Sequence, residues 1–536
     1  MRSPSIRVSY LLAFALFTFS ARAAIHYVDV NGTNPVPPYT NWETAAVMIQ
    51  DAETWSNGGD EILVTNGVYA TGGTLNSRIA VFGAKFVHSV NGPDATVIQG
   101  YQPPGTTNGP GSIRCAFLGS GVTLAGFTLI NGAAPGGGGG VYANSGCIVS
   151  NCDIGFNTAN PGGGVYLVGG TLFSCKLHDN FSQANGGGVY SPLLSPGLFG
   201  TIVGCTFSNN FALSGGGGAF QGTNIGCVFF GNQAVNGGGT YYASLNNCIL
   251  VSNRVSGLGG QGGGAYLCNL TNCLLVGNSC SFRGGGASEG YLVNCTVVSN
   301  SSASFGGGFW FTAASSLPQA NNTILYFNSA PNAPDFGGGT ISACCIPQLP
   351  MYEQNCITND PMFKAPSAGD FRMQSNSPCV NAGRNLDIWS RTDIDGNPRI
   401  VGGTVDIGAY EFQNPLSLIS YGWLQNHGLP TDGSADYADT DSDGMNNWQE
   451  WVTNTDPTNS LSYLHMLAPD GTNNAAGVTF HWQSAGIRYF LQRSTNLVGP
   501  FDTFATNFYA GVGIATYRDA SATNEGPYFY RVGVQP

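Results

Sequence analysis

The 536-residue sequence predicts an all-β protein: a right-handed parallel β-helix, or solenoid, followed by a calcium-loop linker and a small C-terminal β-sandwich. A glycine triplet recurs eight times at intervals of 21 to 30 residues, and a Cys-x4-Asn motif follows seven of the triplets. In addition, 79 glycines accompany only 9% charged residues. Repeats of this length bury a core only by stacking on their neighbours, as solenoids do.

The chain divides into four segments. They are a signal peptide (1–23), the β-helix (24–412), a linker (413–461) and the β-sandwich (462–536). The first segment combines two arginines, an apolar run and the small-residue triplet Ala21-Arg22-Ala23, the layout of a cleaved secretory signal. The alternative is a membrane anchor, but the apolar run from Val8 to Phe19 is shorter than the ~20 residues of a membrane span. We therefore expect a secreted or cell-surface protein whose mature chain has no transmembrane segment.

The charge balance excludes one class of partner. The chain carries 18 lysines and arginines against 30 acidic residues, a formal net charge of −12. Nucleic-acid binding depends on clustered basic side chains that displace counterions from phosphates. We therefore expect no nucleic-acid partner.

Each glycine triplet is followed by a small or aliphatic residue and then, usually, by an aromatic one. The copies are Gly138–Tyr142, Gly162–Tyr166, Gly186–Tyr190, Gly216–Phe220, Gly237–Tyr241, Gly262–Tyr266, Gly284–Ser288 and Gly306–Trp310. The first six copies place Tyr142, Tyr166, Tyr190, Phe220, Tyr241 and Tyr266 at one repeat position. If these rings face outward, they form a stripe that could bind sugar rings or a protein partner. If they face inward, they pack the core, which is the simpler interpretation of a regular ladder.

The second motif indicates a strand and a corner. Its copies are Cys152/Asn157, Cys175/Asn180, Cys205/Asn210, Cys227/Asn232, Cys248/Asn253, Cys273/Asn278 and Cys295/Asn300, and Thr323/Asn328 completes the eighth repeat. An apolar residue stands two positions after each cysteine, so both face the same way in a strand. Asparagine and glycine tolerate the positive φ of a sharp corner, so we place the corners at the asparagine and at the triplet.

Stacked coils set equivalent residues about 4.8 Å apart, which predicts an inward ladder of cysteines. We expect these ladder cysteines to be free, buried thiols. Cys344, Cys345, Cys356 and Cys379 lie outside the repeat and are the better disulfide candidates.

The glycine triplet with its aliphatic-aromatic pair, together with Phe-x-x-Asn at Phe207–Asn210 and Phe229–Asn232, resembles the repeats of polymorphic outer membrane proteins. The resemblance covers residues 136 to 330 and implies a surface-exposed β-helix with a role in adhesion. Upstream of it, residues 42–55 show helical spacing of small and apolar residues. We expect this helix to cover the open end of the solenoid.

Downstream, Ser377–Gly383, Asp393–Arg399 and Val405–Glu411 resemble the closing signature of the choice-of-anchor Q family. That resemblance implies a secreted β-helix with a variable C-terminal attachment module. The signature carries five charged residues: Asp393, Asp395, Arg399, Asp406 and Glu411. They could form a catalytic group, but we expect them to pair with one another and with corner amides in the last coil, with Arg399 binding a carboxylate through two hydrogen bonds.

The linker contains a predicted calcium loop. Asp439, Asp441, Asp443 and Glu450 occupy positions one, three, five and twelve of a twelve-residue loop, Gly444 occupies position six, and the Met445 carbonyl falls at position seven. This is the spacing of an EF-hand loop, and it resembles the calcium repeats of thrombospondin type 3 and dockerin-like segments. We predict a structural Ca²⁺ site, and the alternative is a solvated acidic linker.

The sequence leaves two function classes open. The repeats contain few charged residues, which favours a non-catalytic, adhesin-like or carbohydrate-binding protein that contacts a polysaccharide or a cell-surface protein. Asp153 and Lys176, each one position after a ladder cysteine, are expected to form an outward ion pair near His178 and Asp179, although a base and its partner would look the same. The alternative is a polysaccharide-degrading lyase or hydrolase. Its site would lie outside the repeats, among Asp335, Asp360, Asp370 and Arg372.

Overall fold

A computed structural model describes residues 23–534 except 107, 194–198, 313–318, 352, 389, 471–476 and 524–525. The predicted signal peptide therefore lies almost wholly outside the described residues. The described chain forms a parallel β-solenoid with three long sheets, followed by small antiparallel sheets, which confirms the predicted fold class.

Sheet A has 23 strands arranged in two columns. Its two longest strands, Ala265–Thr271 and Ala287–Val293, belong to both columns and connect them. Its other strands are Ile25–Val28, Glu61–Val64, Ser77–Val81, Phe86–Ser89, Arg114–Leu118, Thr123–Ala125, Val141–Ala143, Ile148–Ser150, Val165–Leu167, Thr171–Phe173, Val189–Tyr190, Thr201–Val203, Ala219–Phe220, Thr223–Ile225, Thr240–Tyr241, Ser244–Asn246, Phe309–Trp310, Ala320–Asn321, Phe336–Gly337, Ile341–Ser342 and Glu353–Gln354.

Sheets B and C complete each coil. Sheet B has 11 strands: Gly67–Tyr69, Thr96–Gln99, Thr128–Ile130, Asp153–Gly155, Lys176–His178, Thr206–Ser208, Val228–Phe230, Ile249–Val251, Leu274–Val276, Thr296–Val298 and Ile324–Tyr326. Sheet C has eight: Ala133–Ala134, Thr158–Ala159, Phe181–Ser182, Phe211–Ala212, Gln233–Ala234, Arg254–Val255, Ser279–Cys280 and Ser301–Ser302. Every pairing within these three sheets is parallel and in register along the repeats, for example Leu177 opposite Phe207.

The asparagines of the repeat form a buried ladder. Asn253 is representative: its side-chain amide donates to the Phe229 carbonyl and to Asn278 Oδ1, each at 2.9 Å, and its own Oδ1 accepts from the Asn232 side chain at 2.9 Å. The ladder runs from Asn157 to Asn328. These bonds join successive coils along their interior, where an unpaired amide would be destabilising.

The predicted reason for the asparagine is therefore wrong. The positive φ at this corner belongs to the residue before each ladder asparagine, such as Asp179 at 51° and Ser252 at 54°. A second positive φ precedes each ladder cysteine, as at Asn151 with 48°. The first glycine of every triplet does adopt the predicted positive φ, and a Cβ on the second, such as Gly187, would meet the carbonyl oxygen of the next coil at 2.4 Å.

The N-terminal end is covered as expected. A 3-10 turn at Trp42–Thr44 precedes an α-helix at Ile49–Trp55. The side chain of Gln50 exchanges hydrogen bonds with the backbone of Ala80 at 2.8 and 3.2 Å, so it pairs the free edge of strand Ser77–Val81. This is how a helix prevents an edge strand from recruiting another chain.

The chain beyond the last coil doubles back over the outside of the solenoid. A hairpin of Phe363–Ala365 and Asp370–Met373 and the loops up to residue 412 pack on the outer face of sheet B. Short 3-10 turns lie at Pro366–Ala368 and Asn385–Asp387. Leu274, Val298 and Ile324 are buried beneath this segment. The closing signature thus covers the side of the solenoid and does not form a last coil.

The linker holds two short helices, Tyr421–Asn426 and Asn447–Thr453. Two antiparallel three-stranded sheets follow. One contains Met466–Asp470, Val478–Ala485 and Val512–Asp519, and the other contains Arg488–Ser494, Asp502–Tyr509 and Phe529–Gly533. Both sheets contribute to one aromatic core around Trp482 and Tyr489. No helix among the described residues is long and apolar enough to span a membrane.

Candidate metal centre and surface sites

Three carboxylates of the linker converge on one point. Asp439, Asp441 and Asp443 each offer an oxygen within 4.8 Å of the others, and the cluster is partly exposed. Backbone amides hold the turn: the Gly444 amide donates to Asp439 at 3.0 Å, and the Met445 amide donates to Asp443 at 2.8 Å. The three carboxylates could hold a cation.

Glu450 lies on the helix that follows the loop, and its side chain is fully buried. Neither of its carboxylate oxygens has a hydrogen-bond partner among the described residues. One oxygen of Asp441 and one of Asp443 are likewise buried without a hydrogen-bond partner. Burial, followed by the nearby Asp441 carboxylate, raises the pKa of Glu450 to about 8. Buried carboxylate oxygens without donors are the arrangement that a cation satisfies.

The loop is fixed from behind. A capping box at Asn446 and Gln449 begins the helix that carries Glu450. The buried Asn447 side chain donates to the Ala435 carbonyl at 2.8 Å and accepts from the Thr440 hydroxyl at 2.9 Å. These contacts hold the helix that carries Glu450 beside the loop.

The aromatic candidates lie on the outer face of the coils, where the five tyrosines are partly exposed and Phe220 is buried. Tyr142 illustrates the pattern, because its neighbours Val141 and Ala143 are buried in the core while its own ring is only half-buried. The ring centroids of Tyr142, Tyr166, Tyr190, Phe220, Tyr241 and Tyr266 are 4.8 to 5.3 Å apart from one coil to the next. The core-packing interpretation is wrong for this position.

The aromatic ladder is longer than the repeat motif indicated. Phe117 stacks on Tyr142 at 5.3 Å, and Phe82 contacts Phe117 at 5.7 Å, so eight rings are continuous. Phe117 carries no glycine triplet, but it pairs in register with Tyr142. The Arg114 guanidinium lies 5.4 Å from the Tyr142 ring. The ladder stops at Ser288, the next position after Tyr266.

Asp153 and Lys176 occupy equivalent positions on adjacent strands, as predicted, but the expected ion pair forms with another residue. His178 Nε2 lies 2.8 Å from Asp153, and His178 Nδ1 lies 2.9 Å from Asp179. The close Asp153 carboxylate raises the pKa of His178 above its ordinary value. Both ring nitrogens are thus occupied by carboxylates, and the Lys176 side chain is exposed.

The residues considered for an enzyme site outside the repeats have structural partners. Asp335 accepts from Asn328 at 2.9 Å and ends the asparagine ladder. Asp360 accepts from the Met362 amide at 2.7 Å. Arg372 binds Asp395 through two hydrogen bonds of 2.7 and 2.8 Å and contacts Asp370 at 3.1 Å.

The closing-signature carboxylates bind backbone amides, as expected. Asp393 accepts from the amides of Asp395 and Asn397, and Glu411 accepts from Asp406 at 3.0 Å and Val401 at 3.1 Å. Burial raises the pKa of Asp406 to about 7 and that of Glu411 to about 9. The predicted two-bond contact of Arg399 is wrong: it lies 3.9 Å from Glu411 and donates to backbone carbonyls.

All fifteen cysteines are free in the described structure, and all except Cys356 are buried. The placement of Cys344 and Cys356 outside the ladder is wrong. They continue the inward ladder, because the Ile357 amide donates to the Cys344 carbonyl as the residue after each earlier ladder cysteine donates to the preceding coil. The Cys344 amide also donates to Cys356 Sγ at 3.3 Å. Burial, together with the Cys356 thiol, raises the pKa of Cys344.

Comparisons with known proteins give distant likenesses only. No family model matches the chain, and no curated protein matches it. Among solved structures, the pectate lyase Pel9A is 16% identical with a TM-score of 0.40, over 73% of this chain and 96% of that one. The A-module of the mannuronan C-5 epimerase AlgE6 from Azotobacter vinelandii is 14% identical with a TM-score of 0.24, over 58% and 94%. At these levels of similarity the chain is assigned to no family and to no activity.

Proposed function

We propose that this protein is a secreted or cell-surface, non-catalytic β-helix that binds an extended carbohydrate along its aromatic ladder in an adhesin-like role. The observation that carries the proposal is the continuous row of contacting rings from Phe117 to Tyr266 on the outer face of the coils, with centroids 4.8 to 5.3 Å apart. A row of nearly identical groups repeated every coil suits a polymer whose own units repeat.

The ladder offers ring edges and hydroxyls. The Tyr142 ring lies nearly parallel between those of Phe117 and Tyr166, at interplanar angles of 17° and 7°, so a sugar ring cannot stack on its faces. Among the described residues, the hydroxyls of Tyr142, Tyr166 and Tyr190 have no protein hydrogen-bond partner. Burial raises the pKa of Tyr166, so this hydroxyl remains a donor at neutral pH. We expect hydrogen bonds from these hydroxyls to a glycan that lies along the solenoid axis.

The acidic and basic side chains favour binding over catalysis. General acid-base chemistry on a polysaccharide needs a carboxyl or imidazole group that is free to exchange a proton with the substrate. His178 has a carboxylate on each nitrogen, Arg372 is held by two aspartates, and Asp335 caps the asparagine ladder. These candidate groups already serve the fold.

We further infer that the linker loop binds Ca²⁺ in a structural role. The structure groups Asp439, Asp441 and Asp443 within 4.8 Å of one another, and Glu450 lies outside that group with both oxygens unpaired. With one oxygen from each aspartate, both oxygens of Glu450 and the Met445 carbonyl, the site would supply six ligands, within the range of six to eight that Ca²⁺ takes. A bound ion would neutralise the buried Glu450 and fix the segment between the solenoid and the C-terminal sheets.

The test of the glycan proposal measures binding and turnover together. The full chain, with Ca²⁺ present, is applied to a polysaccharide array, and each bound glycan is then assayed for new reducing ends and unsaturated products. We expect binding without products. In the double variant Tyr166→Phe/Tyr190→Phe, which keeps the ring stack but removes two hydroxyls, affinity should fall about tenfold.

The matched control is Tyr291→Phe, which removes an exposed tyrosine hydroxyl away from the ladder. Its affinity should equal that of the unmodified protein. Product formation, or equal binding by the ladder double variant and the unmodified protein, would show that the proposal is wrong.

A further inference from the structure

The C-terminal sheets enclose a cleft that the aromatic ladder does not involve. It lies between two edge strands, Met466–Asp470 of one sheet and Phe529–Gly533 of the other, and has a volume of about 480 Å³. Its described lining residues are Met466, Leu467, Val478, Phe480, Leu497, Phe501, Tyr528, Phe529, Tyr530 and Arg531. Nine of these ten residues have apolar or aromatic side chains, and the volume lies in the range of small-ligand sites.

The floor of the cleft is rigid. Phe480 is 1% exposed, and its ring stacks on that of Tyr530 at 4.6 Å. The rim is accessible, because Leu497 is 62% exposed and Met466 is 36% exposed. A ligand would therefore enter past the aliphatic side chains of the rim and contact the partly exposed Tyr530, which the buried Phe480 ring supports from behind.

Arg531 is the one charged residue among the described lining residues. Its guanidinium carbon lies 3.8 Å from the centre of the Phe501 ring, and no described carboxylate forms an ion pair with it. The other arginine near the cleft, Arg493, differs because Asp519 lies 2.6 Å from it and balances its charge. An unbalanced cation is therefore held at an apolar cleft in a chain whose net charge is −12.

We propose that this cleft binds a carboxylated sugar residue of a glycan, with its ring against the aromatic lining and its carboxylate paired with Arg531. A guanidinium that is already stacked on an aromatic ring is oriented before binding, and it can hold a carboxylate through two hydrogen bonds. This inference rests on the proposed carbohydrate-binding function and adds to it a second site and a class of ligand, the uronic acids.

The cleft suits a sugar better than an added peptide strand. Peptide strand addition requires an edge with a regular row of backbone donors and acceptors. The edge strand Met466–Asp470 contains Pro469, which has no amide hydrogen, and its pairing register shifts between Leu467 and Asp470. The recognition groups that remain are aromatic surface and one guanidinium.

The test uses the full chain at saturating Ca²⁺ and a defined probe pair: an oligogalacturonate hexamer and the same hexamer with its carboxyl groups reduced. Calorimetry should show binding of the acidic hexamer and at least tenfold weaker binding of the reduced one. Arg531→Gln should weaken binding of the acidic hexamer about tenfold, and Phe501→Ala should also weaken it.

The matched control is Arg488→Gln, because Arg488 is an exposed arginine of the same sheets that lies 5.9 Å from the Tyr509 ring and outside the cleft. It should bind the acidic hexamer normally. Equal binding of the two hexamers, no effect of Arg531→Gln, or displacement of the hexamer by an extended apolar peptide would overturn the proposal.

The ladder double variant separates this inference from the proposed function. If Tyr166→Phe/Tyr190→Phe binds the array glycan as tightly as the unmodified protein while Arg531→Gln loses the hexamer, the cleft proposal stands and the ladder proposal fails. If the ladder variant loses glycan binding and Arg531→Gln does not, the ladder proposal stands and the cleft proposal fails.

Discussion

The buried Glu450 allows a quantitative test of the calcium site. Without an ion, burial and the three loop aspartates raise the pKa of Glu450 to about 8. Calcium must displace the proton from this carboxyl before both oxygens can serve as ligands. Calcium affinity should therefore rise with pH, and the change should depend on this one residue.

The magnitude follows from the pKa. A carboxyl with a pKa of about 8 is half ionised at pH 8 and about 1% ionised at pH 6, so the Ca²⁺ affinity should be about fiftyfold higher at pH 8. In metal-free protein the sign of the stability effect is opposite. The pKa of Glu450 in the folded state lies above its unfolded value, so stability is greatest below about pH 4.5 and is lost as the pH rises towards 8. Calcium at 100 times its dissociation constant should restore about 2.7 kcal/mol.

Titration calorimetry at pH 6, 7 and 8, with thermal unfolding in EDTA and in Ca²⁺, measures these effects. Glu450→Gln should lose tight binding and its pH dependence, and in EDTA at pH 8 it should melt no lower than the unmodified protein. Asp432→Asn, which removes an exposed carboxylate outside the loop, is the control and should change neither. A Ca²⁺ affinity that is the same at pH 6 and pH 8, or tight binding by Glu450→Gln, would refute the reasoning.

Three further outcomes are expected. Asn253→Ala removes the hydrogen-bond partner of a buried amide and should lower the free energy of unfolding by about 3 kcal/mol. The outward-facing control Gln233→Ala should lower it by about 0.5 kcal/mol or less. Equal melting temperatures of the two variants would contradict the asparagine ladder. Alkylation of the native protein followed by mass mapping should label Cys356 first and the buried thiols only after unfolding, and early labelling of the buried thiols would contradict the inward ladder. The pKa of His178, followed by NMR, should lie above 6.5 and should fall in Asp153→Asn. The ion pair of His178 with Asp153 should stabilise the protein slightly; this stabilisation should be complete below about pH 6.5 and lost as the pH rises through the raised pKa. An unchanged pKa in Asp153→Asn would disprove the pairing.

The repeat made the coil predictable because strand periodicity is local. Alternation around each cysteine placed Leu177 and Phe207 in the core, and both are fully buried. The role of the asparagine was not predictable in the same way. Its hydrogen bonds join residues about 22 to 30 positions apart, so only the stacking of coils reveals that the side chain points inward.

The orientation of the aromatic position was missed for a physical reason. Large apolar residues are usually inside, and Val141-Tyr142-Ala143 therefore favours a buried tyrosine. The interior of this coil is narrow at the glycine corner, where a Cβ on Gly140 would meet Ile154 at 2.9 Å. The small neighbours fill that space, and the ring is directed outward onto the ring of the next coil.

The closing signature is held against the side of the solenoid by long-range contacts, which local sequence patterns do not reveal. For example, the Ala409 amide donates to the Thr296 hydroxyl at 3.0 Å, although the two residues are 113 positions apart. A weak signal of a covered face nevertheless exists in the sequence. Early strands of sheet B carry polar outward residues, as in Asp153–Gly155, whereas Val228–Phe230, Ile249–Val251 and Leu274–Val276 are apolar at every position. A parallel strand that is apolar on both faces is covered on both faces. The loss of alternation from residue 228 therefore predicts an outer layer over the later part of the solenoid. The closing signature provides that layer from Ile249 onwards, whereas Phe230, one strand earlier, stays 49% exposed.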